Sequence, residues 1–390
     1  MIYLDHAATT PISDKALEVY VNVSKHYFGN SSSMHDEGSS AKQILEASAK
    51  TFAGTINARP KDVYFTSGAS ESSFLAIYSL LNSLEGKTGH IITTPIEHSS
   101  VRNLFLKLKD EGYEVSVVPV TEFGEVDFEA LKGLVRDDTV LASIQHVNSE
   151  IGTIQDLEKI GEYLHEQGVM LHSDCVQSFG RIPVDVQKLN VDAISISSHK
   201  IYGPKGCGAV WMNPKIEWKP VFPDSDNQKR FKPGTNDVPS VAAFATASKL
   251  ITQNRTEEQL RILEFREKLL DEFRKLEFDI VVEQHPSDYV PNILGLRIPG
   301  MEGQFFMLEC SQAGLAISTG SACQVGSEKP NKTMTAIGKS EQEAREFVRL
   351  SFGKENQVSQ IPQIIEKMSG ILRRHFDKVN HHKKKEGMTT

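Results

Sequence analysis

The chain has 390 residues, enough for one large domain or two ordinary ones with ample core. A formal net charge of -8 beside 39% hydrophobic residues describes a globular protein and argues against nucleic acid as a partner. Cysteines at 175, 207, 310 and 323 form neither a disulfide framework nor a zinc-binding spacing, and no apolar run reaches the roughly 18 residues of a membrane span.

The first twenty residues, MIYLDHAATTPISDKALEVY, lack the basic start and apolar run of a signal peptide, so the expected setting is cytoplasmic and reducing, with no membrane partner. From about 60 to 215 short apolar runs follow one another: VYFTS (63–67), HIITT (90–94), VSVVPV (115–120), TVLASIQH (139–146), VMLHSD (169–174), AISISS (193–198) and GAVWM (208–212). Helix-length amphipathic segments such as 99–111 and 156–168 lie between several of them. Val- and Ile-rich strands interleaved with helices predict an α/β fold with a mostly parallel sheet covered on both faces.

The pattern changes near 250. Thr256 and Gln259 read as a capping box ahead of Ile262, Phe265, Leu269, Phe273 and Leu276, one face of a long helix. NILGLRI (292–298), FVRLSF (347–352) and a helical stretch near 359–377 complete a smaller α+β unit. The expected division is a large domain over 15–250 and a small one over 1–14 and 251–378. HHKKKEGMTT closes the chain, and 379–390 is expected to be a disordered tail.

Ligands of an open α/β sheet gather at the carboxyl ends of its strands. After VYFT comes Ser67-Gly68-Ala69-Ser70-Glu71-Ser72, a turn opening a helix, whose free N–H groups suit a phosphate. Taken alone, it reads more readily as an ordinary helix start. His98 follows the next strand and could be a capping residue or a functional one. Asp174 ends VMLHSD, where a carboxylate can pair with a protonated ring nitrogen or cap a helix. Lys200 follows AISISS and enters the glycine-rich turn Ile201-Tyr202-Gly203-Pro204-Lys205-Gly206. A lysine in a partly desolvated cleft has a lowered pKa and can form a Schiff base with an aldehyde. Phosphate cradle, aromatic ring, aspartate and lysine at one sheet edge are what pyridoxal 5'-phosphate requires.

LDHAATTP, FTSGASES, EHSSV, QHVNSEIG, SDCVQS, SSHKIYGPKG, PGTNDV, STGSAC and VRLSFG, spread from residue 4 to about 353, resemble the motifs of the cysteine desulfurases of the NifS/IscS type, class-V aminotransferase-like enzymes of fold type I. The resemblance implies that Lys200 holds pyridoxal 5'-phosphate, His98 stacks on its ring, Asp174 keeps the ring nitrogen protonated and Gln177 touches the ring oxygen. It further implies phosphate contacts from Ala69, Ser70, Ser197, Ser198 and His199, with Thr235 reaching in from a second subunit of a homodimer. Asn148 and Ser149 stand where the family commonly has two asparagines that contact cofactor and substrate. Arg349 would grip the substrate carboxylate as a bidentate fork.

Cys323, flanked by small residues at 318–322 and by Gly326, aligns with the family's nucleophile, which carries sulfur as a persulfide. The other three cysteines fall in segments expected to be packed. Two departures stand out: PDSDNQKRFKPGT lacks the glycine-rich turn usual before the PGT motif, and Lys232 replaces the usual arginine.

The implied activity is removal of sulfur from L-cysteine, giving L-alanine and a persulfide on Cys323 for an acceptor, such as an iron–sulfur scaffold or a tRNA-thiolation protein. No resident metal is expected, with Cys323 the one candidate for a transient iron–sulfur ligand. Selenocysteine lyase, another β-lyase on the same scaffold, or a non-catalytic sulfur-relay protein are the alternatives.

Overall fold

The computed structural model describes residues 1–86, 88–224, 228–320 and 330–386. Cys323 lies outside them. The strands are β1 Ile2–Tyr3, β2 Val63–Thr66, β3 His90–Thr93, β4 Glu114–Val117, β5 Thr139–Ser143 and β6 Met170–Asp174. They continue with β7 Ala193–Ser197, β8 Gly208–Met212, β9 Val281–Glu283, β10 Ile293–Arg297, β11 Leu315–Ala316 and β12 Phe347–Ser351.

Seven strands form one sheet in the order β2-β8-β7-β6-β5-β3-β4. Every pairing is parallel except those of β8 with β2 and β7. β2 therefore points the same way as β7, and the carboxyl ends of β2, β3, β6 and β7 share one edge. β2, β3, β7 and β8 are buried along their whole length, as expected of strands covered on both faces. Phe52, Phe65 and Phe244 anchor the core on one side, with Phe52 and Phe244 ring centroids 4.9 Å apart.

A second core lies around the antiparallel sheet β12-β10-β9 and the short parallel pair β1-β11. Ile2 and Leu4 pack there with Phe265, Leu269, Phe306 and Leu350, so the first residues of the chain join elements three hundred positions away. The segment after β1 then crosses to the large sheet's edge, where Thr10 N–H donates to the His199 carbonyl at 2.9 Å.

Two local expectations are corrected. The helix Arg255–Arg274 starts without a capping box: Asn254 both ends the preceding helix and begins this one, and the Gln259 amide donates instead to the Arg181 carbonyl. Two helices joined at one residue leave no extended cap position, which the box geometry needs. The last helix, Ile361–Glu386, runs through most of the segment expected to be a disordered tail. No helix among the described residues is long and apolar enough to cross a membrane.

Candidate active site

Two adjoining cavities open at the carboxyl edge of the large sheet. The larger, about 500 Å³, is lined by Ser67 to Glu71, His98, Ser149, Asp174, Gln177, Ser197, His199, Lys200 and Lys205, among others. The smaller, about 160 Å³, runs from His98 and Lys200 to Glu97, Ser149, Glu150, Gly320 and Arg349. Ala8, His98, Ser149, Gln177 and Lys200 line both, so Lys200 stands where the two meet.

The far end of the larger cavity is the start of the helix Ala69–Asn82. Its N-cap is Gly68, at φ 148, with no side chain to satisfy the first N–H groups of the helix. Glycine is required there by the backbone angle. It is required again at Gly208, where a Cβ would lie 2.7 Å from the Gly68 Cα and 2.7 Å from the Ile196 carbonyl oxygen. The uncapped helix start and its positive dipole end make an anion cradle. Glu71 does not spoil it: its carboxylate accepts from Ser67 N–H at 2.6 Å and from the Lys232 ammonium at 2.7 Å. Lys232 thus acts through Glu71 in this conformation.

Lys200 follows β7 in a single 3-10 turn. Its ammonium donates to the Ala7 and Ala8 carbonyls at 2.7 and 2.6 Å. Burial, then the nearby guanidinium groups of Arg349 and Arg181, lower its pKa from 10.5 to about 7. At neutral pH a substantial fraction of Lys200 is the free amine. His98 caps the helix Ser99–Asp110: its Nδ1 accepts from Ser100 N–H at 3.2 Å, leaving the neutral ring's proton on Nε2. Burial of the ring lowers its pKa, against the pull of Asp174. Asp174 ends β6 and accepts from Val176 N–H at 2.9 Å. Burial raises its pKa, opposed by His98 and by that hydrogen bond. The Gln177 amide donates to the Ala7 carbonyl at 3.0 Å, and His199 Nδ1 lies 3.0 Å from the Thr9 hydroxyl.

Arg349, on β12, is 3% exposed and reaches the smaller cavity from the second sheet. It donates to the Ser149 carbonyl at 2.9 Å and to the Asp5 carboxylate at 2.7 Å.

Two expected site residues line neither cavity, and a third, Thr235, was expected to serve a second subunit rather than its own. Asn148 lines neither cavity; its side-chain oxygen folds back to accept from the N–H groups of Glu150 and Ile151, at 2.9 and 3.0 Å. Its amide, the donor that a carboxylate or ring oxygen would need, faces the Ile96 carbonyl at 3.5 Å, and Ser149 takes the cavity wall instead. Ser198 is fully buried behind Lys200 and lines neither cavity; its hydroxyl sits where a Cβ on Gly203 would be, 2.1 Å away. Thr235 is exposed on its loop and outside both cavities of its own chain.

Glu97, Glu150 and Lys205, which line the cavities, and Asp5, which pairs with Arg349, were not singled out from the sequence. Glu97 is 2% exposed, and one carboxylate oxygen accepts from Gln145 N–H at 2.8 Å and the Thr94 hydroxyl at 2.9 Å. Burial pushes its pKa up to about 8. Its position beside His98, after the apolar β3, was the signal available. Burial also raises Glu150, with Thr333 and Arg349 opposing.

The sequence matches the family described as aminotransferase class-V over residues 2–364. A NifS protein of Bacillus subtilis (strain 168) is 44% identical over 94% of this chain and 93% of its own length. The chain belongs to the class-V aminotransferase family. Cysteine desulfurase IscS 1 of Archaeoglobus fulgidus is 34% identical over 96% of this chain and 97% of its own. Among solved structures, a NifS-like protein superimposes with a TM-score of 0.89 at 29% identity, covering 95% of this chain and 99% of that one. The fold is accordingly the class-V aminotransferase fold that the motif resemblance implied, and its mostly parallel sheet is the one expected from the order of strands and helices. Cys175, Cys207 and Cys310 are buried free thiols, and burial pushes Cys175 and Cys310 up to about 12. At that pKa neither is a ready nucleophile near neutral pH.

Proposed function

We propose that this class-V aminotransferase-family protein is a pyridoxal 5'-phosphate-dependent cysteine desulfurase, which takes sulfur from L-cysteine and leaves L-alanine. The observation that carries the reading is the position of Lys200, a buried amine of lowered pKa at the junction of an anion cradle and an arginine-floored pocket. The residues fit the cofactor. The Gly68–Ser70 turn would hold its phosphate, Asp174 its ring nitrogen, Gln177 its ring oxygen, His98 its ring face and Lys200 its aldehyde carbon. When bound, pyridoxal 5'-phosphate supplies an aldehyde for amines and a ring that draws electrons from an amino acid's α-carbon.

Arg349 would orient the substrate by its carboxylate. Lys200, uncharged in part at neutral pH, removes the α-proton and later returns a proton to the carbon skeleton. His98 Nε2–H is free to donate towards the substrate sulfur. Cys323, assigned from the STGSAC motif and outside the described residues, attacks that sulfur as a thiolate: an S–S bond forms and the C–S bond breaks. The bond's electron pair stays with carbon, which gains a proton and leaves as alanine, while the persulfide sulfur passes to an acceptor protein. Thr235, exposed and outside its own cavity, supports a homodimer in which it completes the partner's cradle. Purified protein given L-cysteine and a thiol reductant should yield sulfide and alanine in equal amounts; ammonia and pyruvate in their place would indicate a different lyase.

A further inference from the structure

Gln177 lines both cavities, and an amide in that wall could present either its oxygen or its N–H groups to a ligand. Two contacts decide between them. The Gln177 amide nitrogen donates to the Ala7 carbonyl at 3.0 Å, and the side-chain oxygen accepts from Nη1 of Arg181. A carbonyl has no proton to give and a guanidinium no lone pair to offer, so only one orientation satisfies both. The oxygen is turned to Arg181, and the second N–H of the amide is left for an acceptor at the site.

Arg181 lines neither cavity and is 7% exposed. Its Nη1 also donates to the Gln177 main-chain carbonyl at 3.1 Å, so one nitrogen holds both oxygens of the same residue. The turn that carries the arginine is tied independently of the guanidinium. Arg181 N–H donates to the Ser178 carbonyl at 2.9 Å, and the Gln259 amide donates to the Arg181 carbonyl.

No carboxylate among the described residues forms an ion pair with Arg181; the groups that act on its charge are the Tyr202 phenol and the Arg349 guanidinium. A buried cation without an anion is costly to the fold. The field of that cation reaches the site. After burial it is the largest influence lowering the His6 pKa, to about 4, and it acts in the same sense on Lys200. An anionic group bound beside Gln177 would offset the charge, and the acidic, phenol-type ring oxygen of pyridoxal 5'-phosphate is such a group.

We propose that Arg181 is a positioning residue for the cofactor: through the Gln177 side-chain oxygen it fixes the amide with an N–H towards the ring oxygen, and its charge strengthens that donor. The inference rests on Gln177 taking the ring oxygen in the proposed site.

The test compares two probes on the full chain freed of cofactor. Pyridoxal 5'-phosphate, titrated by its visible absorbance, reads the whole site; inorganic phosphate, measured by equilibrium dialysis, reads the cradle alone. Arg181→Met should weaken pyridoxal 5'-phosphate by about tenfold or more, the size of a charge-assisted hydrogen bond, and leave inorganic phosphate unchanged. In a Gln177→Ala background Arg181→Met should cost little more, because its route to the ring oxygen is gone. Equal weakening of both probes, or losses that add in the double variant, mark a merely structural role and overturn the proposal. If Arg181→Met does not fold, Arg181→Gln, neutral but still able to donate, supplies the comparison, with a smaller loss confined to pyridoxal 5'-phosphate. Gln177→Ala alone separates the two readings. Undiminished pyridoxal 5'-phosphate binding there means that the ring oxygen is held elsewhere, and the reading of Gln177 fails. Weakened binding there, with Arg181→Met unchanged from wild type, means that the role of Arg181 alone fails.

Discussion

Lys200 should titrate far below the other lysines, and the consequence is measurable in the cofactor-free protein. With a pKa of about 7, about nine-tenths of Lys200 is free amine at pH 8, against about 0.4% of an ordinary surface lysine. Competitive acetylation at trace reagent, read by peptide mass spectrometry across pH 6 to 10, should therefore give a half-maximal rate near pH 7 for Lys200. The same amine sets a pH dependence of stability. Its folded pKa lies below its unfolded value, so the unfolded chain binds more protons between pH 7 and 10.5, and stability rises with pH across that window. The fall from 10.5 to about 7 corresponds to a cost of up to about 5 kcal/mol below pH 7, of which about 2–3 kcal/mol is relieved by pH 9. Lys200→Met should remove that rise from denaturant melts. Lys200 labelling together with surface lysines near pH 10, or a Lys200→Met protein with an unchanged pH dependence, would refute the reasoning.

Gly208→Ala places a Cβ against the Gly68 Cα and the Ile196 carbonyl, both backbone, and should reduce cofactor retention through gel filtration and also lower the melting temperature of the cofactor-free protein. Phe244→Ala opens the core beside Phe52 and Phe65, and urea melts should show a loss of about 3–5 kcal/mol with the helical circular dichroism retained. Thr235→Ala should weaken cofactor retention more than it weakens folding, and sedimentation should show a dimer in both proteins; a wild-type monomer that holds its cofactor would end the shared-site idea.

Much of this site could be read along the chain because each element ends where its chemistry begins. The apolar β3 and β7 lead within a few residues to His98 and Lys200, Asp174 is the last residue of β6, and parallel pairing brings those ends to one edge. What could not be read depends on contacts between distant positions or on side chains turning inward. Asp5 meets Arg349 across 344 residues, and nothing near either one announces the pair. Asn148 was expected to face the ligand, but an asparagine in a turn can satisfy its own backbone, and here it does. Ser198 sits between two residues of the larger cavity, yet the turn after β7 sends its hydroxyl towards Gly203. The capping box failed for a related reason: the cap position was already the end of another helix.

If this chain moves sulfur from cysteine through Lys200 and Cys323, substitutions at the two positions stop the reaction at different stages. Wild-type, Lys200→Ala and Cys323→Ala proteins, each supplied with pyridoxal 5'-phosphate, would be given L-cysteine and dithiothreitol, with alanine and sulfide measured together. Wild-type protein should release the two in equal amounts, Lys200→Ala neither, and Cys323→Ala should still bind cysteine but release almost none. Undiminished sulfide from Cys323→Ala, or no alanine from wild-type protein, would contradict the account.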